Sequence, residues 1–130
     1  EAGEKGLINA NAETLYNLGV TQAFDYWNTN LPKNYLTGNA NFNVIGKTPL
    51  EQIITQKWIA SVIYGYEGWI EYRRTGFPAL KKVSASLNNG NIPARMPYPA
   101  EEATLNQENY KVAETTTNGN SLDVKVWWNE

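Results

Sequence analysis

Apolar residues recur at helical spacing along two long stretches of the chain. The first runs through Leu15, Leu18, Ala23, Tyr26 and Trp27 and is preceded by Asn11, a residue type whose side chain caps helix N-termini. It predicts a helix over about 11–28. Asn28-Thr29-Asn30-Leu31-Pro32 ends it, because the residue before a proline is steered away from helical dihedrals. The second stretch places Leu50, Ile53, Ile54, Trp58, Val62, Tyr66, Trp69 and Ile70 in steps of three and four. Thr48-Pro49-Leu50-Glu51 opens it as a capping box with proline at the first helical position. Arg73 and Arg74 sit where cations favour the negative end of the helix dipole, Gly76 offers a left-handed cap, and Pro78 blocks continuation. These signals predict one helix over about 49–74. Ile59 and Ile63 widen its stripe, so most of it should be buried between neighbours. Gly65 and Gly68 inside it each cost about 1 kcal/mol relative to alanine, which points to close approach of another backbone.

The remainder is less regular. Residues 29–47 read as a loop with one short turn around Tyr35-Leu36. Leu80 to Leu87 fits a short amphipathic turn, and Asn88-Asn89-Gly90-Asn91 a loop. Ile92-Pro93-Ala94-Arg95-Met96-Pro97-Tyr98-Pro99 should run extended, since proline removes donors and fixes its dihedral. Glu101-Glu102 opens a short helix near 100–114, and Trp127-Trp128 is placed to pin the tail. The fold class is mainly α.

Composition narrows the chemistry. The length of 130 residues suits one domain or part of one. Lys+Arg 11 against Asp+Glu 13 gives a net charge of -2, with no basic stripe for a phosphate backbone, so no nucleic-acid partner is expected. The absence of cysteine removes disulfides and thiol catalysis, and the absence of histidine removes the usual near-neutral base. No cofactor is called for. No apolar run approaches the ~20 residues of a membrane span, and no secretory signal is present. Five Trp and eight Tyr against three Phe favour rings with a polar tip, suited to sugar faces as well as to a helical core.

Candidate constellations are few. Glu67 and Glu71, four apart, share a helix face and form the one carboxylate pair suited to glycoside hydrolysis. A structural charge cluster balanced by Arg74 is the blander account. Asp25 and Asp123 are isolated, so no metal site is expected. No phosphate-binding glycine loop and no serine triad is visible. At least one of Arg73, Arg74 and Arg95 should pair with a carboxylate among Glu67, Glu71, Glu101 and Glu102, as an ionic latch between the long helix and the proline-rich segment.

The order and spacing of several short segments resemble the C-terminal portion of the SusD/RagB (SusD-like) family. These are Gln56-Lys57-Trp58-Ile59-Ala60, Glu67-Gly68-Trp69, Arg73-Arg74-Thr75-Gly76-Phe77-Pro78, Ile92-Pro93-Ala94-Arg95, Tyr98-Pro99 with Glu102 and Asn106, and Asn109-Tyr110. The resemblance implies a mostly helical fold with tetratricopeptide-like helix pairs, and a chain (residues 1–130) that is one truncated portion of a longer protein. Glu1-Ala2-Gly3-Glu4-Lys5 then reads as a cut inside that parent. It also implies a non-catalytic glycan- or nutrient-binding lipoprotein of Bacteroidetes, lipid-anchored at the outer-membrane surface. Such a protein hands oligosaccharides to a SusC-like TonB-dependent transporter. Arg73, Arg74, Gly76, Pro78, Arg95, Tyr98, Pro99, Glu102 and Asn106 match the shared motif and read as scaffold; no ligand-contacting residue carries over. The alternatives are a structural or protein-interaction module and a glycosidase using Glu67 and Glu71. A helix apolar on most sides also predicts self-association of the isolated chain.

Overall fold

The computed structural model describes residues 1–129, which contain five α-helices and no strand. The helices are α1 (Ala12–Tyr26), α2 (Pro49–Ala60), α3 (Gly65–Thr75), α4 (Glu102–Leu105) and α5 (Gln107–Thr116). The chain divides into two units, Glu1–Pro78 and Ala79–Glu130.

In the first unit the predicted caps form. Asn11 Oδ1 accepts from the Thr14 N–H at 2.8 Å, and Thr48 Oγ1 accepts from the Glu51 N–H at 3.1 Å. Each satisfies an orphan donor of the first turn. Gly76 ends α3 with φ 71, its N–H donating to the Tyr72 carbonyl at 2.8 Å. That left-handed dihedral is open to glycine at little steric cost.

The single helix expected over 49–74 is two helices. The α-ladder stops at Ala60 and resumes at Gly65, with the Tyr64 N–H donating to the Ser61 carbonyl at 2.7 Å in the turn between. The interruption falls where helix formation is weakest. Val62 and Ile63 lose side-chain freedom against the preceding turn, and Gly65 carries the largest backbone entropy. The turn lets α3 pack on α2. Gly68 is the contact point, since a Cβ there would lie 3.0 Å from Trp58 Cδ1. The close approach anticipated at Gly68 is therefore to an indole rather than to a backbone, and Gly65 meets nothing.

The core of this unit lies elsewhere than the stripe implied. Tyr16 and Val20 of α1 pack with Phe42, and Phe24, Leu31, Tyr35, Leu36 and Ile53 pack around them. Ile54 is fully buried, but Trp58, Ile59, Val62, Ile63 and Tyr66 are exposed, so the 49–74 stripe is not enclosed. The 29–47 segment supplies much of the core. It is held by the Tyr16 hydroxyl, which donates to the Ala40 carbonyl at 2.7 Å, and by Gln52, whose Nε2 donates to the carbonyls of Asn39 and Asn41 at 2.7 and 3.0 Å.

The second unit holds the proline-rich segment and the two short helices. The Ala94 N–H donates to the Leu122 carbonyl at 2.7 Å, and the Tyr98 N–H donates to Asn120 Oδ1 at 2.6 Å. Asn106, at φ -139 and ψ 42, divides the expected 100–114 helix into α4 and α5. Leu80–Leu87 forms no helix, and of the Trp127-Trp128 pair Trp127 is 95% exposed while Trp128 is half-buried.

Candidate functional site

Between α1 and α2 of the first unit lies a cleft of about 550 Å³. Leu15, Gly19, Ala23 and Phe24 line it from α1, and Ile53, Gln56 and Ile59 from α2. These faces are apolar because each helix presents its i, i+3, i+4 positions inward. Polar groups converge at few points: the Tyr35 hydroxyl donates to Gln56 Oε1 at 2.9 Å, and Lys57 and Glu1 also border the space. The cleft can hold an apolar body with a small number of directed hydrogen bonds.

An aromatic cluster stands where the end of α1 meets the α2–α3 turn. Trp27, which lines the cleft, donates its indole N–H to the Ala60 carbonyl at 3.1 Å. Tyr26 meets Trp27 edge to face with ring centroids 5.1 Å apart. The Tyr26 and Tyr64 hydroxyl oxygens are 3.4 Å apart, and this contact holds the Tyr26 phenol above its ordinary pKa. Both tyrosines are exposed, at 69% and 52%. The helical pattern accounts for Tyr26 and Trp27 as apolar positions of α1, but nothing in local spacing relates Tyr26 to Tyr64.

The ionic residues form a third group. Lys57 Nζ donates to Glu71 Oε1 at 2.8 Å and lies 3.8 Å from Glu67 Oε2. Arg74 donates to Glu71 Oε2 at 2.6 Å and forks onto both carboxylate oxygens of Glu1 at 2.8 Å each. Burial opposes ionisation of Glu71, but the hydrogen bonds from Lys57 and Arg74 outweigh it and hold the carboxyl below the usual range. The Arg74 fork brings Glu1 down to about 2, and Glu1 in turn raises Arg74. The expected pairing of at least one arginine with this acid set is met by Arg74 and Glu71, but both stand on α3, so this pair is not a latch between the helix and the proline-rich segment. Lys57 and Glu1 were not foreseen as partners, since 14 and 73 residues of separation leave no periodic signal.

The remaining motif residues have defined places. The Arg73 guanidinium lies 3.6 Å from the Trp69 ring centroid. Pro78 follows the Gly76 cap and closes the first unit. In the second unit Arg95 is buried, donates to the Met96 and Gly119 carbonyls at 3.1 and 3.4 Å, and lies 4.5 Å from the Tyr98 ring centroid. Tyr98 packs edge to face on Tyr110, and its phenol is held below its ordinary pKa by Arg95 and Thr117. Pro99 precedes α4, its carbonyl accepting from the Glu102 N–H at 3.1 Å, and the Asn106 side chain donates to the Glu102 carboxylate at 3.0 Å. Among the described residues no cluster of acids could hold a metal ion, and no helix is long and apolar enough to cross a membrane.

Residues 1–99 match the SusD-like family described as "Starch-binding associating with outer membrane". The chain belongs to the SusD-like family. Two solved structures agree with that placement. A "Bacteroidetes AC2a SusD-like" structure superposes with a TM-score of 0.78 at 24% identity, over 99% of this chain and 28% of its own. A chitin-binding protein superposes with a TM-score of 0.79 at 28% identity, over 99% of this chain and 30% of its own. The SusD-like chain thus spans less than a third of either structure. No curated protein matches it.

Proposed function

We propose that this chain is the C-terminal portion of a non-catalytic, lipid-anchored surface protein that binds glycans and delivers oligosaccharides to a SusC-like TonB-dependent transporter. The family match over residues 1–99 carries this reading. The chitin-binding relative supports a carbohydrate as ligand. In that frame the motif from Arg73 to Asn106 is scaffold. Arg74 and Gly76 fix the end of α3, and Arg95, Tyr98, Glu102 and Asn106 order the second unit through the contacts described above.

The chemistry of Glu71 supports binding over hydrolysis. A general acid must hold its proton near neutral pH, which requires a raised pKa. Glu71 is clamped by two cations and shifted the other way. Lys57 also lies against both Glu71 and Glu67, occupying the space between the carboxylates.

The test is calorimetric titration of the full-length parent with starch and chitin oligosaccharides, alongside reducing-sugar release and co-purification with the transporter. Binding without release, and a stable complex, are expected. Sugar release lost in Glu71→Gln would establish the glycosidase instead. No binding across the panel would leave a helical interaction module.

A further inference from the structure

We propose that the exposed Lys81-Lys82 pair is a processing site for a lysine-directed, trypsin-like endopeptidase, with the Lys81–Lys82 peptide bond cut first. This goes beyond the glycan-binding reading, and its test needs no sugar.

An endopeptidase holds several residues around the scissile bond as an extended strand. A bond is therefore cut in the folded state only where that stretch of backbone is exposed and unpaired. Lys81 to Ala85 are all exposed, and residues 79–83 form neither helix nor turn. Among the described residues Ala79, Leu80, Lys81 and Lys82 make no hydrogen bond, and no carboxylate pairs with either lysine. The first tie on the far side is a single bond, from the Val83 N–H to the Gly90 carbonyl at 3.2 Å. Gly90 also lies close against Lys82, since a Cβ on the glycine would stand 3.1 Å from Lys82 Cβ. Lys81 is the less encumbered of the two and is the residue whose ammonium enters an acidic specificity pocket.

The other lysines and arginines lie where the backbone is committed. Lys57, Arg73, Arg74 and Lys111 are inside helices, and Arg95 is buried. Lys33 sits in a turn whose Pro32 and Asn34 carbonyls accept from the Tyr35 and Gly38 N–H groups at 3.0 Å each. Lys47 leads straight into the α2 cap. Its N–H donates to the Val44 carbonyl at 3.3 Å, and Thr48 next to it accepts from Glu51 and Gln52. The Lys5 N–H donates to the Glu1 carbonyl at 2.9 Å, and Lys125 stands between the half-buried Val124 and Val126. Cleavage at these places must wait for local opening, and its rate falls with the open population.

The step is hydrolysis. The protease's nucleophile takes the Lys81 carbonyl as an acyl group, the Lys82 nitrogen leaves as an amine, and water then releases the Lys81 carboxylate. The cut spares the Glu1–Pro78 unit and divides the family motif, with Arg73 to Pro78 on one product and Arg95 to Asn106 on the other.

The experiment is limited digestion of the native chain with lysyl endopeptidase, followed over time by intact-mass spectrometry. The first products are expected to be residues 1–81 and 82–130, with Lys82 the lesser site. Cleavage at the pair should run at least roughly ten-fold faster than at any other lysine, because every competing bond must first open. The double variant Lys81→Gln, Lys82→Gln should lengthen the life of the intact chain by a similar factor. Its helical circular dichroism should be unchanged, since both side chains are exposed. In urea the preference should vanish; a preference that persisted there would trace to the local sequence and overturn the structural assignment. A first cut outside the pair in the native chain, or a lifetime that the double variant does not alter, overturns the proposal as well.

Discussion

Glu71 and Arg74 stand one turn apart on α3 with 2.6 Å between carboxylate oxygen and guanidinium nitrogen, and the other carboxylate oxygen accepts from Lys57 of α2 at 2.8 Å. A buried acid is thereby shared by two helices. Its partners keep a third to a half of their side-chain surface in water, which places the cluster between an exposed ion pair and a dry one. Glu71→Gln should cost about 1–3 kcal/mol of stability, measured by urea denaturation. An unchanged midpoint would mean that Lys57 and Arg74 are as well satisfied by water.

Acid should weaken the same cluster. Glu1 and Glu71 have folded-state pKa values below their unfolded ones, so they bind protons more readily when unfolded. Their contribution is complete above the ordinary carboxyl value of 4.5 and is lost as pH falls from there toward about 2, the folded value of Glu1. Thermal melts across that window should show a falling midpoint, and the double variant Glu1→Gln, Glu71→Gln should flatten the slope.

Helix capping offers a cleaner local measurement. Thr48→Ala removes the acceptor for the Glu51 N–H, and Asn11→Ala removes that for Thr14. Each should cost about 0.5–2 kcal/mol by chemical denaturation. A neutral result at Thr48 would show that Pro49 alone defines the start of α2.

Tyr16 joins α1 to the 29–47 segment through the Ala40 carbonyl. Tyr16→Phe leaves a buried acceptor unpaired and should cost about 1–3 kcal/mol. Burial pushes the Tyr16 phenol up to about 12, so the unfolded chain ionises first as pH rises past the ordinary value of 10.0. Stability should therefore decline between those two values in the wild type, and less so in Tyr16→Phe.

Leu15 and Leu18 of α1, Ile59 of α2, and Val62 and Ile63 of the turn leave apolar surface in water. The isolated chain is expected to self-associate, most simply as a two-fold dimer. Light scattering that returns a monomer at high concentration, with helical circular dichroism intact, would contradict this.

The caps at Asn11, Thr48 and Gly76 were legible because each needs only a short local pattern. The break at residues 61–64 was not, because the intervening turn is about one helical repeat long and the three-and-four spacing passes through it in phase. Burial of Ala40 and Phe42 was equally hidden, since an irregular segment reaches the core at isolated positions without a period. Family motifs drew attention to Arg74, which pairs with Glu71, and to Arg95, which donates to the Met96 and Gly119 carbonyls. They carried no information on Tyr26 or Tyr64, whose relation exists only once the end of α1 and the α2–α3 turn have met.

The fork from Arg74 to Glu1 spans 73 residues, against 14 for the bond from Lys57 to Glu71. By loop-closure entropy the longer span costs about 1.5 kcal/mol more to bring together. The α2–α3 pair is therefore expected to form before the fork closes, so Glu1→Gln should speed unfolding and leave the refolding rate unchanged in stopped-flow measurements. An interaction absent from the transition state leaves the refolding rate alone and slows unfolding. On that expectation the Glu1–Arg74 fork acts as a brake on opening, lengthening the life of the folded first unit without hastening its formation.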